Sequence, residues 1–135
     1  MIKFEDAYFE RFRFTPAQIK QNLDNALRDL AIAKKDEITE VCFNYAYTAL
    51  IKGGIALLSS YHRRVKSAPG HHIKIIRKIS EILKDEAIDT MGNLMRSKRN
   101  TDFYSGGIDI TEKEAKEFLE FSEKTLNKIS SLLNK

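Results

Sequence analysis

The residues best able to do chemistry are the histidines, arginines and polar side chains of two basic segments. They are His71 and His72 in the first segment, and Arg96, Arg99, Asn100 and Tyr104 in the second. An arginine can hold a phosphate or stabilise the negative charge that develops on it during a reaction. A histidine can take up and release protons near neutral pH. Side chains of these types are therefore candidates for binding or cleaving a phosphodiester.

Positive charge is concentrated in the same part of the chain. The formal net charge is +4, but residues 63–99 hold ten Lys or Arg against four Asp or Glu, a net of +6, which leaves −2 for the remainder. An anionic partner such as RNA or a nucleotide phosphate would be attracted to this segment. The alternative interpretation is a solvated basic helix face.

Sequence motifs for other kinds of chemistry are absent from the chain. The chain has no phosphate-binding loop, no dinucleotide-binding glycine pattern and no His-Glu-x-x-His. His71 and His72 are adjacent, so they cannot chelate one metal ion from the same face of a helix. We therefore predict no metal site and no cofactor.

Several features predict a soluble protein of the cytoplasm. Cys42 is the only cysteine of the 135 residues, which rules out an intramolecular disulfide and favours a reducing compartment. The amino terminus does not resemble a signal peptide. The longest apolar stretch, residues 46–60, is interrupted by Lys52 and two glycines, so no membrane role is expected.

Two capping boxes mark the beginnings of helices. Thr15, followed by Pro16 and by Gln18 at the third helical position, predicts a helix that runs to about Lys35. The segment 111–114, Thr-Glu-Lys-Glu, has the same pattern and predicts the final helix. Residues 1–14 are predicted to form an arm packed on the helical domain, which covers residues 15–135.

Between these two helices we expect three more. The most apolar stretch, residues 41–61, predicts a central helix, whose Gly53 and Gly54 would allow neighbouring helices to approach closely. A third helix is predicted to hold Pro69 in its first turn, and a fourth to end at about Arg99 before a loop. Short connections then favour an all-α, up-and-down antiparallel bundle of four to five helices.

Three segments together resemble the HEPN family of nucleotide- and RNA-associated helical proteins. They are residues 43–50 (FNYAYTAL), residues 69–72 (PGHH) and residues 96–104 (RSKRNTDFY). The resemblance covers roughly residues 15–133 and rests on the order and spacing of these segments. It implies a HEPN-like bundle that forms a homodimer, with a metal-independent ribonuclease centre made of an arginine, a small polar residue and a histidine.

The chain departs from the family pattern at the histidine. Arg99 and Asn100 match the arginine and its polar neighbour, but Tyr104 stands where active members carry histidine. A tyrosine of ordinary pKa, about 10, is a poor base near neutral pH. His71 or His72 could replace the missing proton carrier. Alternatively, these histidines are surface residues at a helix start, and Arg99 and Asn100 only close the fourth helix.

Three functions stay open on the sequence. The first is a nucleotide- or RNA-binding protein, a companion or toxin subunit of a toxin–antitoxin type pair with a small nucleotidyltransferase, which could modify Tyr104. The second is an active metal-independent endoribonuclease toxin. The third is a structural dimer without a ligand. The absent histidine favours the first, with Arg96, Arg99, His71 and His72 as the phosphate- or RNA-binding residues.

Overall fold

The computed structural model describes the backbone of residues 1–105 and 110–134, and the side chains of residues 1–100 and 110–134. In this part of the chain five helices and two short strands are present. In chain order they are β1 (Phe9–Arg11), α1 (Pro16–Lys35), α2 (Thr39–Ser60), β2 (Arg63–Val65), α3 (His71–Leu83), α4 (Glu86–Ser105) and α5 (Glu112–Leu133). The prediction of a predominantly helical bundle is confirmed.

Both capping boxes form as predicted. The Thr15 hydroxyl accepts from the backbone N–H of Gln18, and the Gln18 side chain accepts from the backbone N–H of Thr15. Thr111 and Glu114 make the same reciprocal pair at the start of α5. Each box satisfies two backbone donors that a helix start would otherwise leave unpaired, which is why both helices begin where the sequence indicates.

Helix α2 lies at the centre of the bundle and contacts the four other helices. Its long buried face includes Phe43, Tyr47 and Leu50. By length and composition α2 could cross a membrane, contrary to our expectation, with a mean hydropathy of 1.3 over its most apolar window. However, 61% of that window is buried inside the protein. Packing within the bundle therefore accounts for its apolar character.

The arm, predicted only to pack on the helical domain, contains a short strand. β1 pairs antiparallel with β2, with Phe9 opposite Val65 and Arg11 opposite Arg63. No strand was predicted in the segment that forms β2. The two strands lie more than 50 residues apart in the chain, and each has only three residues, so neither carries a local pattern long enough to be recognised.

Two helix boundaries also differ from the predictions. α3 begins at His71 rather than at Pro69, because Gly70 precedes the helix with a φ of +79°, a left-handed conformation that glycine adopts without strain. α4 continues through Ser105 instead of ending at about Arg99. The loop predicted to follow the fourth helix includes Gly106 and Gly107, which lie outside the described residues.

Candidate functional site

The two basic segments meet around a buried tyrosine of α2. The Tyr47 hydroxyl oxygen lies 3.0 Å from Nδ1 of His72, at the start of α3. The guanidinium carbon of Arg99, on α4, lies 5.4 Å from the centre of the Tyr47 ring. His71 packs edge-on against His72, with ring centres 4.5 Å apart. We call Tyr47, His71, His72, Arg96 and Arg99 the Tyr47 cluster.

Glycines on two helices allow α3 to lie close to both α2 and α4. A Cβ added at Gly54 of α2 would come within 2.4 Å of the Ile75 side chain, and one added at Gly92 of α4 within 2.7 Å of Ile76. Both contacts are closer than a methyl group allows. Glycine at these two positions therefore brings the first turn of α3 next to Tyr47 and α4.

Tyr47 keeps its phenolic proton throughout the physiological range. Its side chain is 1% exposed, and burial raises the pKa of the phenol to about 12, although Arg99 and Arg96 act in the opposite direction. A buried hydroxyl needs a hydrogen-bond partner. Among the described residues that partner is His72.

His72 is uncharged at neutral pH. Burial, the neighbouring His71 and the charges of Arg99 and Arg96 together lower the pKa of the His72 imidazole from 6.5 to about 4. Because each of these influences disfavours the cation, His72 is a weak proton acceptor in the free protein. It can still donate or accept a hydrogen bond as a neutral ring.

Cationic side chains dominate this surface. Within residues 1–100 and 110–134, no carboxylate lies at ion-pair distance from Arg96 or Arg99. Arg96 donates from Nε to Oδ1 of Asn93 at 3.4 Å, a long hydrogen bond. The guanidinium of Arg99 rests on the Tyr47 ring, an arrangement that leaves its N–H groups able to bind an anion.

The beginning of α3 adds backbone donors to the cluster. Gly70 has no side chain to cap the helix. The N–H of His71 is bonded to the carbonyl of Ala68, but those of His72 and Ile73 have no acceptor in the described part of the chain. Free N–H groups and the positive end of the helix dipole favour an anion at this position.

The structure brings together four of the six residues predicted for the site. His71, His72, Arg96 and Arg99 belong to the Tyr47 cluster, although they come from two separate segments. Asn100 follows Arg99 on α4 and is exposed. Tyr104 lies on α4, but its side chain is outside the described residues.

Two side chains differ from the sequence interpretation. Tyr47 was not predicted to be a site residue, and its hydrogen bond to His72 was missed. The signal was weak: a tyrosine in a buried helix requires a partner for its hydroxyl, but the sequence does not say which. Lys98 forms an ion pair with Glu114 at 3.2 Å that connects α4 to α5, a contact that was not predicted.

An apolar cleft of about 430 Å³ lies elsewhere on the molecule, between the start of α1 and the ends of α2 and α5. Its lining includes Leu23, Leu57 and Leu133 but no residue of the Tyr47 cluster. Its polar lining residues are Lys20, Ser60, Tyr61 and Asn134, so it holds one cationic side chain where the Tyr47 cluster holds two arginines and two histidines. The cationic cluster is therefore the better candidate for a functional site.

Comparisons with family models, with curated proteins and with solved structures found no match to this chain. The functional interpretation therefore depends on the residues and their geometry, together with the resemblance of the three sequence segments.

Proposed function

We propose that this protein binds RNA or a nucleotide through a phosphate at the Tyr47 cluster. The observation that carries the proposal is the convergence of Arg96, Arg99 and two histidines from separate helices, with no carboxylate from the described residues to neutralise them. Holding two arginines near a buried tyrosine and two histidines is electrostatically unfavourable unless an anion or an acidic group offsets them. A phosphate supplies that charge.

The geometry suits a phosphate better than a carboxylate or a metal ion. Guanidinium groups bind phosphate oxygens with paired hydrogen bonds, and the free N–H groups of the first turn of α3 add further donors. His71 and His72 lie at the start of α3, whereas Arg96 and Arg99 lie within α4 and are partly exposed. The sequence-independent contacts of the cluster would position the ligand rather than identify a base.

The HEPN resemblance suggests a biological setting for this binding activity. On that basis, the protein is a cytoplasmic homodimer and the companion or toxin subunit of a toxin–antitoxin type pair with a small nucleotidyltransferase. Tyr104 is the residue that such a transferase would modify. Light scattering tests the dimer, and a monomer at every concentration would contradict it.

One observation favours the alternative of a metal-independent endoribonuclease. His72 lies near enough to Arg99 to feel its charge, and His71 packs against His72, so either could be the proton carrier that is needed if Tyr104 cannot act as one. General acid–base catalysis requires such a group near the reacting phosphodiester. The lowered pKa of His72 argues against that residue as the base in the free protein.

Binding and cleavage can be tested with the same samples. Wild type and Arg99→Ala would be titrated into fluorescein-labelled single-stranded RNA at neutral pH, and then incubated with tRNA in chelator. We expect Arg99→Ala to weaken RNA binding at least about tenfold, because it removes a charge-assisted hydrogen bond to the phosphate. The wild-type affinity should fall steeply as salt increases, and the mutant should show a shallower salt dependence.

A matched control is Arg28→Ala. Arg28 is an exposed arginine of α1, a helix that packs mainly on α2 and α5, so its removal changes the net charge equally and should leave RNA affinity nearly unchanged. Equal losses of RNA affinity in both variants would show that the effect comes from net charge alone. No loss for Arg99→Ala would refute the proposal, whereas cleavage that Arg99→Ala abolishes would establish the endoribonuclease.

A further inference from the structure

The hydrogen bond between Tyr47 and His72 has a donor and an acceptor that can be assigned. The Tyr47 oxygen carries a proton, and among the described residues the only acceptor within reach of it is Nδ1 of His72. A buried hydroxyl that donates to nothing would lose a hydrogen bond that water provides in the unfolded chain. Within the described part of the chain, the phenol is therefore the donor and Nδ1 the acceptor.

Accepting at Nδ1 decides where the proton of His72 lies. A neutral imidazole carries one hydrogen, so a ring that accepts at Nδ1 must bear its hydrogen on Nε2. His72 is neutral at physiological pH. Because Nδ1 faces the Tyr47 hydroxyl, Nε2 lies on the other side of the ring, where it makes no hydrogen bond to a described residue.

His71 is held in the opposite tautomer, with its hydrogen on Nδ1. Its Nδ1 lies 2.9 Å from the carbonyl oxygen of Ala68. A carbonyl oxygen can only accept, so Nδ1 of His71 carries the hydrogen, and its Nε2 has a free electron pair when the ring is neutral. The two adjacent histidines therefore differ in tautomer although they share a helix turn.

From this geometry we infer that Tyr47 is a positioning residue that holds His72 with its hydrogen on Nε2, so that His72 donates a hydrogen bond to a phosphate oxygen and does not act as a base. This inference rests on the proposed phosphate site and specifies its donors. With Arg96, Arg99 and the N–H groups of α3, the Nε2–H of His72 completes a surface of donors. Any proton acceptor of the site would be His71.

Two substitutions at His72 distinguish hydrogen-bond donation from proton transfer. Gln at position 72 can donate through its amide but cannot take up a proton near neutral pH, whereas Ala can do neither. We expect His72→Gln to retain RNA affinity within about twofold. His72→Ala should bind RNA about three- to tenfold more weakly, because it loses one hydrogen bond. Binding of fluorescein-labelled single-stranded RNA, measured by anisotropy at neutral pH, reports both.

The role of Tyr47 has its own readout. Long-range proton–nitrogen NMR of the imidazole rings should show His72 with its hydrogen on Nε2 in the wild type, and a mixture of tautomers in Tyr47→Phe. The same variant should bind RNA several-fold more weakly. Tyr61→Phe is the control, because Tyr61 is 41% exposed at the end of α2 and outside the cluster.

The outcomes distinguish this inference from the proposed function. If Arg99→Ala binds RNA as the wild type does, the phosphate site itself is wrong. If Arg99→Ala loses affinity, the phosphate site stands. The inferred role of His72 and Tyr47 is then overturned by either of two results. One is that His72→Gln binds RNA as weakly as His72→Ala, and the other is that the tautomer of His72 is unchanged in Tyr47→Phe. Thermal unfolding of each variant verifies that it is folded.

Discussion

His72 shows how neighbours set the properties of one side chain. The pKa of its imidazole falls from 6.5 to about 4 because the ring is partly buried and lies near His71, Arg99 and Arg96. Between these two pH values the unfolded chain takes up a proton at His72 that the folded chain does not. The free energy of unfolding therefore falls as the pH decreases through this window, and the stabilisation is complete above pH 6.5.

Replacing His72 with Gln should remove this pH dependence. Between pH 7 and about pH 4.5, the wild type should lose roughly 1–2 kcal/mol more stability than His72→Gln, after allowance for the partial exposure of the ring. Urea unfolding at both pH values measures the difference. The carboxylates titrate alike in the two proteins, so parallel pH profiles would show that the pKa of His72 is close to that of a free imidazole.

Among the helices, the contact of α2 with α3 depends on Gly54. Alanine is the better helix former by about 1 kcal/mol, but its Cβ would lie 2.4 Å from Cγ2 of Ile75 and 2.8 Å from Cδ1 of Ile79. We expect the steric cost to exceed the gain, so that Gly54→Ala lowers the free energy of unfolding by about 1–3 kcal/mol. RNA affinity should fall as well, because α3 carries both histidines.

The control for this substitution measures helix propensity alone. Ala31 is exposed within α1, so Ala31→Gly should cost up to about 1 kcal/mol without any change in packing. A double variant, Gly54→Ala with Ile75→Ala, should be less destabilised than the sum of its parts, since the nearer of the two clashing methyl groups is gone and only that of Ile79 remains. Additive costs, or a stabilising Gly54→Ala, would contradict the close approach of the two helices.

The arm is joined to the bundle by a buried cation as well as by the strands. Lys78 of α3 is 2% exposed, and its Nζ lies 2.9 Å from Oε1 of Glu5 and 3.1 Å from Oε2 of Glu81. It also lies near the rings of Phe4 and Phe9. The hydrogen bond from Lys78 lowers the pKa of Glu5. The carboxylate of the arm therefore neutralises a charge that water cannot reach.

Removing the carboxylate of Glu5 should loosen the arm from the rest of the molecule. Glu5→Gln should lower the free energy of unfolding by about 1–3 kcal/mol, because it leaves Lys78 only partly compensated. Amide exchange should increase at Phe12 and Lys66, whose N–H groups join the arm to the segment 62–66. The matched control is Glu10→Gln, which breaks an exposed pair with Arg64 and should cost less than about 1 kcal/mol. Equal effects would contradict the importance of the buried pair.

Features determined by the sequence alone are those whose interactions are local. The starts of α1 and α5 were predicted correctly because Thr15 and Thr111 bond to residues three positions away. The apolar periodicity of the helices likewise follows from 3.6 residues per turn. These interactions form within one or two turns, so the identity of the neighbours in the chain suffices to predict them.

Only the tertiary structure decided which side chains meet. Tyr47 and His72 are 25 residues apart, and β1 and β2 are separated by α1 and α2. These contacts exist because glycines let α3 lie against α2 and α4, a property of the packed helices rather than of any one segment. The types and the basic character of the site residues could be read from the chain, whereas the tautomer and charge of His72 depend on burial and on cations brought from another helix.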